Sequence, residues 1–206
     1  DEDVSKNLAR SFKKSGINIM TGSAVESVDS SADLCKVSIK TAKGIEIIEA
    51  EVVLSAVGIT ANIENIGLEE CGVKTDKGKV LVDEFYRTNI PGIYAIGDIV
   101  PGQALAHVAS AEGIICVEKI AGKKVEALNY NNIPGCTYCN PEVASVGMTE
   151  KAAKAAGYEV KVGKFPFSAS GKASASGSKD GFVKLVFDAK YGELVGCHMI
   201  GSNVTE

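Results

Sequence analysis

Arg87-Thr-Asn-Ile-Pro-Gly-Ile-Tyr-Ala-Ile-Gly-Asp-Ile-Val100, continuing into Pro101-Gly-Gln-Ala-Leu-Ala-His107, is the stretch whose reading decides the fold. Residues 93–96 are an apolar run with the β-branched bias of a buried strand, closed by Gly97-Asp98. A helical pattern starts a few residues later. Ligands of open α/β sheets sit beyond the carboxyl ends of the strands. Gly97 has no side chain to keep a ligand from the backbone, and Asp98 offers a carboxylate that accepts hydrogen bonds from a sugar-like hydroxyl. Gly-Asp alone is also an ordinary turn before a helix cap; the flanking string points to a site.

Upstream, residues 1–15 have a helical pattern with Val4, Leu8, Ala9 and Phe12 on one face and Gly16 as its stop. A short buried strand is predicted at 17–20. Alternating segments at 24–28, 36–40 and 45–48, with a turn at Lys43-Gly44, predict a β-meander. Residues 51–57 form a nearly continuous apolar run ending in Gly58, the pattern of a central strand covered on both faces. Residues 59–79 are loop-rich, with a turn at 75–78. Residues 104–121 predict a helix carrying Leu105, Val108, Ile115, Val117 and Ile120, closed by Gly122.

Residues 129–135 have the composition of a linker. Beyond them a segment at 142–147, a helix capped by Thr149, and strands at 158–165, 182–188 and 194–200 predict an α+β unit with an antiparallel sheet. Residues 168–181, rich in Ser, Ala and Gly, are expected to be a long exposed loop.

Composition narrows the function. With 206 residues, 45% hydrophobic and 23% charged, the chain is expected to be a soluble globular protein of one or two domains. A net charge of −4 supplies no positive field for nucleic acid. No apolar run is long enough to span a bilayer, and no secretory signal opens the chain. Six cysteines, at 35, 71, 116, 136, 139 and 197, are too sparse for a disulfide scaffold and predict a reducing, intracellular compartment. Opening on Asp1 inside a helical pattern, the chain is expected to be part of a longer protein. Cys136-Thr-Tyr-Cys139 is a CxxC, but no second ligand pair stands at zinc spacing, and its first cysteine does not open a helix. No metal site is expected.

The string 88–98 resembles the second flavin fingerprint of the pyridine nucleotide–disulfide oxidoreductases. Further stretches are similar to the dihydrolipoamide dehydrogenases among them: Gly67-Leu-Glu-Glu70, Leu105-Ala-His107 with Glu112-Gly113, Pro141-Glu-Val-Ala-Ser-Val-Gly147 and Gly163-Lys-Phe-Pro-Phe167. The resemblance runs across essentially the whole chain. It implies α/β, three-layer, partial FAD- and NAD-binding domains followed by an α+β dimer-interface domain with an antiparallel sheet. Residues 1–58 would be the second half of an NAD domain, 59–125 the returning half of an FAD domain, and 126–206 a truncated dimerisation domain.

It further implies FAD and NAD as cofactors, a homodimer, and the lipoyl group of a partner protein as substrate, in a bacterial cytoplasm or a mitochondrial matrix. For the flavin it implies Asp98 and the helix start Ala104, Leu105, Ala106 and His107, whose unpaired N–H groups would stabilise negative charge on the ring. His107 enters as a backbone contact, not as an acid or base. For the nicotinamide dinucleotide it implies Gly58 and, packing near the adenine, Val25. Many family members follow this glycine with Arg-Arg-Pro; here Ile59-Thr-Ala61 follows and removes two positive charges.

The family's two GxGxxG loops and its Cys-x4-Cys pair are not in this sequence, and its His-Glu pair would lie beyond Glu206. No catalytic residue is expected here, and the chain alone is expected to be inactive. Two other readings stand beside this one: another disulfide reductase of the same superfamily, and a cofactor-free dimerisation and scaffold fragment.

Overall fold

Helix α1, Glu2–Lys14, carries Glu2 and Asp3 in its first turn and Lys13 and Lys14 in its last, each sign at the end of the helix dipole that favours it. The computed structural model describes all residues, 1–206. Gly16 closes α1 as the pattern predicts. Its φ is +83°, and the Ile17 N–H donates back to the Phe12 carbonyl at 3.0 Å. Two compact units divide the chain: Ser5–Gly58 is one, and Asp1–Val4 with Ile59–Glu206 is the other.

In the first unit the predicted meander is present. Strands β1 (Ala24–Asp29), β2 (Cys35–Thr41) and β3 (Gly44–Ala50) form one antiparallel sheet in that order. The β2–β3 turn needs Gly44 at φ +124° and is stitched by Thr41 Oγ1, which donates to the Gly44 carbonyl at 2.9 Å and accepts from the Lys43 N–H. Two expected strands of this unit are not formed. Residues 17–20 and 52–57 pair with no strand, and Val52, Leu54 and Val57 are 82%, 87% and 93% exposed. An apolar run needs neighbours on both edges to become a central strand, and no strand of this chain borders either run.

In the second unit, Val73, Val80, Ala95 and Val100 form a small core, joined by Leu68, Val82, Ile90, Ile93 and Ile99. The turn expected at 75–78 is the hairpin β4 (Thr75–Asp76) and β5 (Lys79–Val80), with Lys77 and Gly78 both at positive φ. The expected strand at 93–96 is a correction: it makes one isolated bridge, Tyr94 to Arg87, and runs into a 3-10 turn at Gly97–Ile99. It is anchored by Ala95 in the core rather than by a sheet. Helix α2, Ala106–Ile120, follows, ended by Gly122 at φ +76°. It buries Val108, Glu112 and Cys116, while Val117 and Ile120 are exposed.

Beyond it, β6 (Gly135–Thr137), β7 (Glu142–Gly147), β8 (Val160–Pro166), β9 (Phe182–Asp188) and β10 (Leu194–Gly201) make a five-stranded antiparallel sheet ordered β6-β7-β10-β9-β8. Helix α3 (Glu150–Ala155) opens on Thr149, whose hydroxyl accepts the Ala152 N–H at 3.1 Å, the predicted cap. The expected loop at 168–181 instead holds a 3-10 turn at Phe167–Ala169 and the one-turn helix α4 (Gly171–Ala175). Ser170 caps α4 by accepting the Ala173 N–H at 3.3 Å. A serine read as loop composition is here a helix start.

Candidate flavin-facing site

Ile93 and Ile99 pack on the small core and leave Gly97-Asp98 at its rim. Gly97 takes φ +75°, and a Cβ there would stand 3.3 Å from the Ala109 Cβ; one at Gly113 would stand 3.2 Å from Ile96 Cδ1. The turn therefore lies directly on α2, and small residues on both sides allow it. Three groups fix its backbone. The Gly97 N–H donates to Glu112 Oε2 at 2.6 Å. The Lys79 ammonium donates to the Asp98 carbonyl. The Val100 N–H closes the 3-10 turn on the Gly97 carbonyl at 3.0 Å. The Asp98 carboxylate itself is exposed and takes no partner within the chain. A fixed backbone carrying a free carboxylate can accept a hydrogen bond from a hydroxyl brought to it.

The other predicted element of this unit is the start of α2. Leu105 is the N-cap with extended φ and ψ and gives no side-chain cap. The first bond of the helix runs from the Ala109 N–H to the Leu105 carbonyl at 3.0 Å. The N–H groups of Ala106, His107 and Val108 precede it and point out of the helix end. Ala104 and Leu105 are half-buried, and Ala106 and His107 are exposed. Of the predicted site residues, the structure places Asp98 on the 3-10 turn packed against α2 and residues 104–107 at the start of that helix.

Val25 and Gly58 belong to the other unit. Val25, opposite Ile39 on β1, is 58% exposed. Gly58 has φ +128° and nothing within 4 Å of where a Cβ would stand, so backbone is accessible there.

Sequence reasoning missed the group behind the turn. Glu112 is 1% exposed and accepts from the Tyr130 hydroxyl at 2.6 Å as well as from Gly97. The Tyr130 hydroxyl also lies 3.2 Å from that of Tyr86, which is buried at φ +68°. Burial, and then the Glu112 carboxylate, push the Tyr130 phenol far above its ordinary value, so it remains a donor. Burial likewise raises Tyr86. One signal was available: Glu112 stands between Val108 and Cys116 at helical spacing, a charge on the buried stripe. Tyr130 lay in what read as a linker, yet its 3-10 turn, Tyr130–Asn132, is tied through Glu112 to α2.

His198 is 2% exposed with Nε2 2.9 Å from the Met148 carbonyl, and burial lowers its pKa. Cys136 and Cys139 are free thiols, exposed and half-buried; the Cys139 thiol donates to the Pro141 carbonyl at 3.1 Å.

The sequence profile of the pyridine nucleotide-disulphide oxidoreductases matches residues 1–113, and that of their dimerisation domain matches residues 133–206. Over its full length the chain is 47% identical to a dihydrolipoyl dehydrogenase of Rhizobium etli and 49% identical to one of Zymomonas mobilis, covering 43% and 45% of those proteins. It thus spans less than half the length of the curated relatives it matches. The crystal structure of LpdA from Mycobacterium tuberculosis superposes on the entire chain with a TM-score of 0.90 at 26% identity, over 44% of its own length. The HOCl-induced flavoprotein disulfide reductase RclA from Escherichia coli shares the fold at a TM-score of 0.90 and 21% identity.

Proposed function

This chain belongs to the pyridine nucleotide–disulfide oxidoreductase family, and from that membership we propose that it is the part of a dihydrolipoyl dehydrogenase that grips the flavin from one side and begins the dimer interface. The observation that carries this reading is the Gly97-Asp98 turn: a backbone held by Glu112 and Lys79, presenting a carboxylate without a partner.

Asp98 would accept a hydrogen bond from the ribityl chain of FAD. The N–H groups that open α2, at the segment Ala104, Leu105, Ala106 and His107, would face the pyrimidine side of the ring. There the positive end of a helix favours negative charge. Gly58 and Val25 would meet NAD, the glycine by letting the dinucleotide approach its backbone. When bound, the flavin supplies the electron relay, taking a pair of electrons from a dithiol and passing them to NAD⁺.

None of the acid–base or thiol chemistry of that cycle is assigned to this chain. The residues here bind, orient and exclude. The substrate on this reading is the lipoyl group of a partner protein, and the compartment is a bacterial cytoplasm or a mitochondrial matrix. The five-stranded sheet would lead into a homodimer interface: β9 alternates buried Phe182, Lys184, Val186 and Asp188 with half-buried Val183, Leu185 and Phe187. The latter give it a second, largely apolar face.

The experiment is Asp98→Ala in the full-length flavoenzyme. A hydrogen bond to a charged acceptor contributes ~1.5–3 kcal/mol, so flavin affinity should fall about ten- to a hundred-fold. Flavin occupancy that is unchanged after dialysis of the variant rejects the assignment.

A further inference from the structure

Glu112 is a carboxylate with 1% exposure and no cationic partner, on a helix stripe whose neighbours one turn away are Val108 and Cys116. Removing such a charge from water is costly unless each oxygen is satisfied. Both are, by the Gly97 N–H and the Tyr130 hydroxyl, each at 2.6 Å. An apolar residue would fill the stripe at lower cost, so the position of the acceptors is what distinguishes this side chain.

The two donors sit at the two flavin-facing features. Gly97 immediately precedes Asp98. Tyr130 lays its ring against Gly102, where a Cβ would stand 3.2 Å from Tyr130 Cε1, just ahead of the 104–107 segment. Tyr130 can hold its own hydrogen in place because its hydroxyl is also within 3.2 Å of Tyr86.

We propose that Glu112 is a positioning residue for the flavin, acting through the Gly97 N–H to set Asp98 and through Tyr130 to set the segment before α2. This rests on the flavin reading of Asp98. Glu112 does not touch the cofactor. Its carboxylate fixes the peptide plane between Ile96 and Gly97, and the Asp98 carboxylate follows from that plane. The dominant path runs through Asp98, because a directly bonded amide precedes it, whereas Tyr130 reaches its segment by packing alone.

The test is a double-mutant cycle on FAD affinity in the full-length flavoenzyme, with Glu112→Leu, Glu112→Gln and Asp98→Ala. Glu112→Leu is expected to raise the FAD Kd about tenfold, the range of one charged hydrogen bond. Glu112→Gln keeps an oxygen for the Gly97 N–H and should bring the Kd back to about two- to fourfold above the parent. In the Asp98→Ala background both changes should move the Kd by less than about twofold, because a group acting through Asp98 has nothing left to position.

A Glu112→Leu variant with the parent's Kd overturns the inference, and so do Glu112 and Asp98 losses that multiply; in both cases the Asp98 assignment stands. An Asp98→Ala variant with unchanged Kd rejects the flavin reading itself. Should Glu112→Leu not fold, Glu112→Gln decides through the Gly97 amide proton, which must move upfield as the charged acceptor is lost. An unmoved resonance overturns the inference.

Discussion

Lys184→Met should destabilise the unit built on the five-stranded sheet by about 2–3 kcal/mol at neutral pH, and the deficit should vanish in acid. The Lys184 ammonium on β9 is almost fully buried and lies 3.1 Å from Asp1, 3.0 Å from Asp3 and 2.8 Å from Glu150. At an effective dielectric of ~20 one such contact is worth about 5 kcal/mol before desolvation is subtracted. Deleting one partner of a fully buried pair costs ~3–5 kcal/mol, because the other charge is stranded. The Asp3 and Glu150 side chains are 38% and 31% exposed, so water recovers part of that. In a chain of this length the loss corresponds to a Tm lower by about 5–10 °C.

The pH window follows from the partners. The Asp3 carboxyl is held below its ordinary value by its hydrogen bond to Lys184, and Glu150 is lowered by Lys154 and then Lys184. Depressed carboxylates contribute stability above their unfolded pKa and lose it as pH falls through their folded values. Burial alone would lower Lys184, but the bonds to Glu150 and Asp3 overcome it and raise it, so its contribution fails only at strongly alkaline pH. Of the other groups at this cluster, Lys164 lies 3.4 Å from Asp3, and burial lowers the pKa of His198, opposite Lys184 on β10. Urea denaturation at neutral pH and near pH 3 measures both ends. Equal midpoints at neutral pH, or a deficit just as large in acid, would refute the reasoning.

Gly181→Ala should cost well over the ~1–2 kcal/mol of a strained positive φ, because its Cβ would overlap the Ile200 carbonyl. Gly157→Ala, also at positive φ but with open space around it, should cost only that strain, and thermal melts of the two variants rank them. Cys136 and Cys139 should bind no metal; stoichiometric zinc in the purified protein that disappears in Cys139→Ser would contradict this. Residues 1–206 expressed alone should not retain FAD, since one carboxylate and one helix start must overcome an association cost of ~4–15 kcal/mol. A flavin absorbance band that survives gel filtration at about one flavin per chain would show that the binding determinants are misplaced.

What the sequence reveals here depends on where each segment finds its hydrogen-bond partners. The meander β1–β2–β3 and the β9–β10 pair were legible because antiparallel partners follow one another along the chain. The turn of the meander, at Gly44, also announces itself. The Thr149 cap was legible because its partner is three residues away. Residues 52–57 and 93–96 carry the composition of buried strands, but composition reports an appetite for burial, not the supply of neighbours. Val52 and Val57 remain exposed, while Ala95 is buried without a sheet. The site divides in the same way. Asp98 could be read from its flanking string, whereas Glu112 acts on an amide 15 residues away and on a hydroxyl 18 residues away, separations that no local periodicity records. The sign it does leave is a violation: a carboxylate where the helix stripe asks for an apolar residue. A charge placed against its own local pattern is held by distant partners, and the search for a missed functional group in a chain like this one properly begins at such violations.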